Sequence, residues 1–318
     1  MDSIDRNEQL LAMPQLEVDT DTALANVAAR TSGILAAKRA TPPLLTARPA
    51  RWLAAAAGVV IVATTLTMTG VADSILQIFE AKQFAAVTVT ATDIQTLGQL
   101  SQFGKLTWSS QPAPHEVASL AAATAETGLP AISVKIPASV TGAPKYSAMT
   151  RTTATFVFDA TLARASAAAI GRTAPPMPAK LDGSTLVFAG GPAIMVSYGA
   201  DNMKAGTLVV GVAKAPTVGS DGATVAEIQA YLLSQPSVSP ELAAQIRAIG
   251  DPASTVLVPI PLGQAQAKTV SVHGTTGLFI GDSTGLGSGV LWQQNGFVYV
   301  VGGTLSQEET IAAANSLR

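Results

Sequence analysis

Residues 289–309 read GVLWQQNGFVYVVGGTLSQEE, and this stretch decides the fold class. Asn295-Gly296 sits between two apolar runs. A two-residue type I′ hairpin turn needs positive φ at both central positions, which Asn and Gly tolerate best. Trp292 and Tyr299 lie equally far from that turn, where cross-strand pairing is natural. Ser306, three residues ahead of Glu309, has the S-x-x-E spacing of a capping box and opens a closing helix. An antiparallel hairpin that runs into a helix predicts the α+β class, with packed helices on antiparallel sheets.

Upstream, the same reading predicts strands at 269–273 and 277–281, completing a run of four with 289–293 and 297–301. Helices are expected over 224–233 and 240–249, the second opened by Ser239 as N-cap and Pro240 at N1. Strands fit 193–198, 207–213 and 153–158, and an Ala-rich helix fits 160–170, closed by Gly171. Further back come a strand at 84–91, a short helix from Asp93 and a strand at 103–109. A helix over 116–127 ended by Gly128 and a strand at 131–136 complete the expectation. Residues 171–180, with Pro175, Pro176 and Pro178, are the best internal hinge and the candidate subdomain boundary.

The N-terminal third has a different character. Residues 52–72, WLAAAAGVVIVATTLTMTGVA, carry no charge. As a helix they would span roughly 30 Å, the hydrocarbon thickness of a bilayer. Leu53, Val59, Val60, Ile61, Val62 and Leu66, with Val71, contribute about −3 kcal/mol to insertion. Trp52 stands at the expected interface. Lys38, Arg39, Arg48 and Arg51 precede the span, whereas Asp73, Glu80 and Lys82 follow it, so the positive-inside rule puts the N-terminus in the cytoplasm. Gly70-Val71-Ala72 has the form of a leader-peptidase site. A leader of 51 residues with six acidic ones is nevertheless too long and too acidic, which favours a retained anchor. The expected organisation is a cytoplasmic tail at 1–51, a transmembrane helix at 52–72 and an extracytoplasmic region at 73–318. In the tail, Asp19-Thr20-Asp21 can cap a helix with Leu24, Val27 and Leu35 on one face. That helix is either a docking face for a cytoplasmic partner or part of a disordered leader.

Composition excludes several activities. A net charge of −2 and the lack of any Lys/Arg cluster argue against a nucleic-acid partner. With no cysteine there is no disulfide, thiolate zinc site, thiol nucleophile or Cys-linked lipid. Two histidines, His115 and His273, are too few for an intrinsic transition-metal site, and no cofactor motif occurs. Gly281-Asp282-Ser283 resembles the surroundings of some serine nucleophiles. A nucleophilic serine needs a base in hydrogen-bond reach, and neither histidine lies in a hydrolase context. The motif therefore reads first as a loop joining two strands. Gly285-Leu286-Gly287-Ser288-Gly289 leads into a strand instead of a helix N-terminus, so it reads as a hairpin and not a phosphate cradle. No catalytic residue is assigned.

The run 291–299, then Gly303 through Glu309, then Ala314-Asn315-Ser316-Leu317, resembles the end of a bacterial extracytoplasmic domain of unknown function. In that family a Trp strand, an NG-type turn, a Tyr strand, a G-x-L-S-x-E-E cap and an A-x-S-L helix end occur together. Residues 116–136 carry a looser similarity to its earlier half. The family is found outside the anchor of anti-sigma-factor-like membrane proteins. The resemblance implies an envelope sensor or regulator, with the bilayer, an envelope ligand and a sigma-factor-like cytoplasmic protein as partners. The chain lacks the Cys and tail His of the zinc-binding anti-sigma pattern. The alternatives are a non-signalling envelope binding or scaffold protein and, third, an anchored serine hydrolase using Ser283.

Overall fold

In the computed structural model, residues 75–97, 100–199 and 206–318 are described. The expected tail, the span at 52–72 and their residues, from Leu24 to Leu66, lie outside them. Among the described residues no helix is long and apolar enough to cross a membrane.

The Asn295-Gly296 turn forms as its residue types require, with φ of 54° and 80°. It joins β14 (Ser288–Gln294) to β15 (Phe297–Gly303) in antiparallel register, pairing Trp292 with Tyr299. Their rings stack with centroids 5.3 Å apart. Around this hairpin grows a fully antiparallel eight-stranded sheet of order β12-β13-β14-β15-β9-β8-β5-β4. Its members are β4 (His115–Val117), β5 (Lys145–Met149), β8 (Ala193–Tyr198), β9 (Leu208–Lys214), β12 (Ala265–Val272) and β13 (Thr275–Asp282) with the hairpin.

A second antiparallel sheet has five strands in the order β1-β10-β7-β6-β3: β1 (Leu76–Glu80), β3 (Gly104–Ser110), β6 (Thr152–Phe158), β7 (Thr185–Gly190) and β10 (Thr217–Ser220). The two sheets share chain segments. β5 continues into β6, β7 into β8 and β9 into β10, with bends at 150–151, 191–192 and 215–216. The neighbour order β9-β8-β5 in one sheet is matched by β10-β7-β6 in the other. Residues 171–180 lie between β6 and β7, which pair with each other, so this segment connects two neighbours of one sheet. The remaining pair, β2 (Gln83–Val89) with β11 (Thr255–Pro261), is parallel, an exception to the antiparallel expectation. Two prolines, Pro259 and Pro261, are compatible with β11 because a two-stranded sheet has only edges.

The helices are α1 (Ala91–Leu97), α2 (Leu120–Thr127), α3 (Ala160–Ala169), α4 (Val225–Leu233), α5 (Pro240–Arg247) and α6 (Gln307–Ser316). The caps expected for α5 and α6 are in place. Ser239 accepts from the Leu242 N–H, and Ser306 with Glu309 makes the reciprocal capping box. Against one face of the eight-stranded sheet, α2 and α6 enclose the main core, including Ile194, Val210, Val290, Trp292 and Val301. The opposite face at β13 carries Leu278 and Ile280 against Val258, Ile260 and Phe84 of the parallel pair. β14 is therefore buried from both sides, and SGVLW is an unbroken run of buried residues.

Two sequence expectations are corrected. Glu116 belongs to the edge strand β4, and α2 starts only at Leu120, because Ser119 caps it by accepting from the Ala122 N–H at 3.1 Å. Residues 131–136 form no strand. They run along the C-terminus, where Ser133 and Arg318 exchange backbone hydrogen bonds of 2.9 and 3.0 Å and the Lys135 N–H donates to Ser316 Oγ.

Candidate binding sites

The Gly281-Asp282-Ser283 loop lines a groove of about 440 Å³ with mixed polar and apolar walls. Its walls are β12 and β13, with Leu305 and Gln307 at the start of α6. Register places Lys268 opposite Phe279. The Lys268 ammonium lies 5.4 Å from that ring's centroid and donates to Gln307 Oε1 at 2.7 Å. A cation held over an aromatic face and by an amide oxygen stays directed into the groove.

Asp282 is occupied by its own loop. It accepts from the Thr284 N–H, the Thr284 hydroxyl and the Leu286 N–H at 3.1, 2.9 and 3.0 Å. Partial burial raises its pKa, but the Thr284 hydroxyl and the N–H groups of Gly287, Leu286 and Gly285 outweigh this and hold it below the ordinary 3.8. This carboxylate therefore organises the turn. Ser283 follows β13 on the connection to β14, and its N–H donates to the carbonyl of Gln264, just before β12, at 2.9 Å.

Neither histidine lines the groove. His115 lies on β4 and His273 follows β12, at opposite edges of the eight-stranded sheet. Seven interstrand steps separate those edges, roughly 30 Å. His115 Nε2 is 3.1 Å from Glu126 Oε2 and its pKa is raised, chiefly by that hydrogen bond. The backbone N–H of His273 donates to Asn315 Oδ1 at 3.0 Å. Among the described residues no group of three His, Cys, Asp or Glu is placed to hold a metal ion. The groove thus offers one fixed cation and several hydroxyl and amide groups, a set suited to hydrogen-bonding a polar ligand.

A second concavity lies between the five-stranded sheet and α4, about 250 Å³ in volume and with an entirely apolar lining. Five of the eight phenylalanines face it: Phe79, Phe103, Phe156, Phe158 and Phe188. Strand alternation explains three of them. Phe156 and Phe158 in TTATFVF, with Phe188 in TLVFAG, fall on the inner face, while Thr155, Val157 and Val187 take the other. On β1 the register with β10 shifts between Gln77 and Phe79. Such a bulge re-aims side chains, and here consecutive residues Ile78 and Phe79 both line the cavity. Val225, Ile228 and Leu232 of α4 form the other wall. The helix is fixed by a second reciprocal capping box, Thr224 with Glu227.

No local signal in the sequence marks this cavity. The alternation of Phe156 and Phe158 was visible as a strand signal, but β1, β7 and β10 were not expected, so their residues could not be assigned to one face. Comparisons of the chain with protein-family models, with curated proteins and with solved structures gave no match.

Proposed function

We propose that the chain is a single-pass membrane protein with a cytoplasmic N-terminus, whose folded α+β region binds or senses a component of the cell envelope and whose tail contacts a sigma-factor-like regulator. One observation carries this reading. The uncharged residues 52–72, preceded by Lys38, Arg39, Arg48 and Arg51, end four residues before the first strand begins at Leu76. A bilayer-length apolar segment directly before a folded region is the arrangement of an anchored domain. The groove supports a binding role, since it gathers Lys268, Gln307 and hydroxyl groups and neither histidine lines it. The composition argues against nucleic acid as a partner.

The absence of cysteine makes the topology directly testable. Single cysteines introduced by Ser32→Cys and by Ser283→Cys are treated in intact cells with a membrane-impermeant maleimide. Labelling at position 283 and protection at 32 is the expected result, and the reverse pattern would sink the orientation. The regulatory part is tested with residues 1–51 as bait, beside the same bait carrying Val27→Pro. Capture of a transcription factor by the intact bait alone supports signalling through Leu24, Val27 and Leu35. Capture by neither leaves a non-signalling envelope-binding protein.

A further inference from the structure

From the apolar cavity beneath α4 we infer that the five-stranded sheet receives an acyl chain of a bilayer phospholipid. The inference rests on the anchored reading above and names a ligand class for the extracytoplasmic region.

The lining contains no polar surface. An opening of about 250 Å³ is larger than the roughly 150 Å³ apolar cavities that remain dry and take up benzene. A soluble polar ligand would find no hydrogen-bond partner there, and its polar groups would be desolvated without compensation. A flexible hydrocarbon chain matches the lining.

Position along the chain selects the source. The wall nearest the N-terminus is β1, through Ile78 and Phe79. Five residues separate Ala72, the end of the uncharged stretch, from Ile78, and the six Cα steps reach at most about 20 Å. The headgroup layer takes up roughly 5–8 Å of that distance. The cavity therefore cannot lie far from lipid once residues 52–72 are in the bilayer. Its surroundings suit such a place. Leu100, on the cavity wall, is 43% exposed, and Leu76, two residues before Ile78, is 73% exposed. Apolar side chains left in water beside an apolar opening gain by meeting the membrane interface.

The test uses the full chain in phosphatidylethanolamine–phosphatidylglycerol vesicles containing a phospholipid with a diazirine near the end of one acyl chain. After illumination, cross-links are mapped by mass spectrometry. Cross-links are expected on cavity residues such as Phe103, Phe188 and Ile228, in addition to residues 52–72. Ile228→Trp from the helix side and Val218→Phe from the strand side should each lower the cavity yield about tenfold, with the yield at 52–72 unchanged. Cross-links confined to 52–72 would overturn the acyl-chain site while leaving the anchor intact. Cavity yields indifferent to both filling variants would overturn it as well. No cross-link at 52–72, with protein recovered apart from the vesicles, would overturn the anchored reading and the bilayer source together. Labelling of the cavity by a free diazirine fatty acid but not by the phospholipid would overturn the bilayer source alone.

Discussion

The eight-stranded and five-stranded sheets share three chain segments, yet they close their apolar faces differently. Over the larger sheet the buried residues of α6 are small, Thr310, Ala313 and Ala314, with Ile311 packed at the margin of the core. Small residues let a helix lie close to what it packs on, and the space below is filled by Trp292, Val290 and Val301. Over the smaller sheet α4 presents Val225, Ile228 and Leu232 to a face of phenylalanines, and about 250 Å³ stays open between them. The difference teaches that hydrophobic content and close packing are separate properties. Beneath α6 the apolar layer is filled, whereas beneath α4 part of it stays open.

The largest expected effect breaks or confirms that contrast. Trp292 is 1% exposed, and Trp292→Ala should cost about 3–5 kcal/mol, read from the urea midpoint. Phe188 is half-buried at the open cavity, and Phe188→Ala should cost only about 1–2 kcal/mol. Equal losses would mean that the cavity is closed in solution. Overpacking sharpens the comparison at the next scale. Ala314→Leu forces side chains into a filled layer and should lose about 2 kcal/mol. Ile228→Trp adds bulk where space exists and should stay within about 0.5 kcal/mol of the unsubstituted protein in the same measurement.

Helix caps supply a control, because each layer has the same device. Thr224→Ala at α4 and Ser306→Ala at α6 should each cost about 1 kcal/mol in thermal or chemical unfolding. A much smaller cost at α4 would show that its helix is held by something other than its cap. The smallest effect concerns acid. The Thr224 N–H and hydroxyl lower the Glu227 pKa, and the Ser306 N–H with the Ser139 hydroxyl lowers that of Glu309. A carboxyl depressed on folding adds stability that is present above its unfolded value, near 4.5, and is lost as pH falls through the folded value. Glu227→Gln and Glu309→Gln should therefore each make stability fall less steeply below about pH 4.5. An unchanged acid limb in both variants would contradict the two depressed carboxyls.

What could be read in advance follows the range of the interactions involved. The Asn295-Gly296 turn, the Ser306–Glu309 box and the Ser239-Pro240 start are local. Each satisfies backbone groups or sets dihedral angles within a few residues, so residue type and spacing suffice. The α+β class and the C-terminal four-strand run followed from these marks. The candidate cavity did not. Its walls come from β1, residues 100–103, β6, β7, β10 and α4, and no local signal says that Phe79, Phe156 and Phe188 share a face.

The sequence by itself determined the C-terminal hairpin and its Trp292–Tyr299 cross-strand pair, the caps of the last two helices, and an uncharged segment of bilayer length. Only the tertiary structure decided that β1 pairs with β10 through Leu76 and Ser220, that β2 lies parallel to β11, and that Glu116 leaves its helix for an edge strand. The physical reason is that a strand's hydrogen bonds go to partners chosen by the whole fold. Gln83 reaches Thr255 across 172 residues, and no propensity at either position names the other.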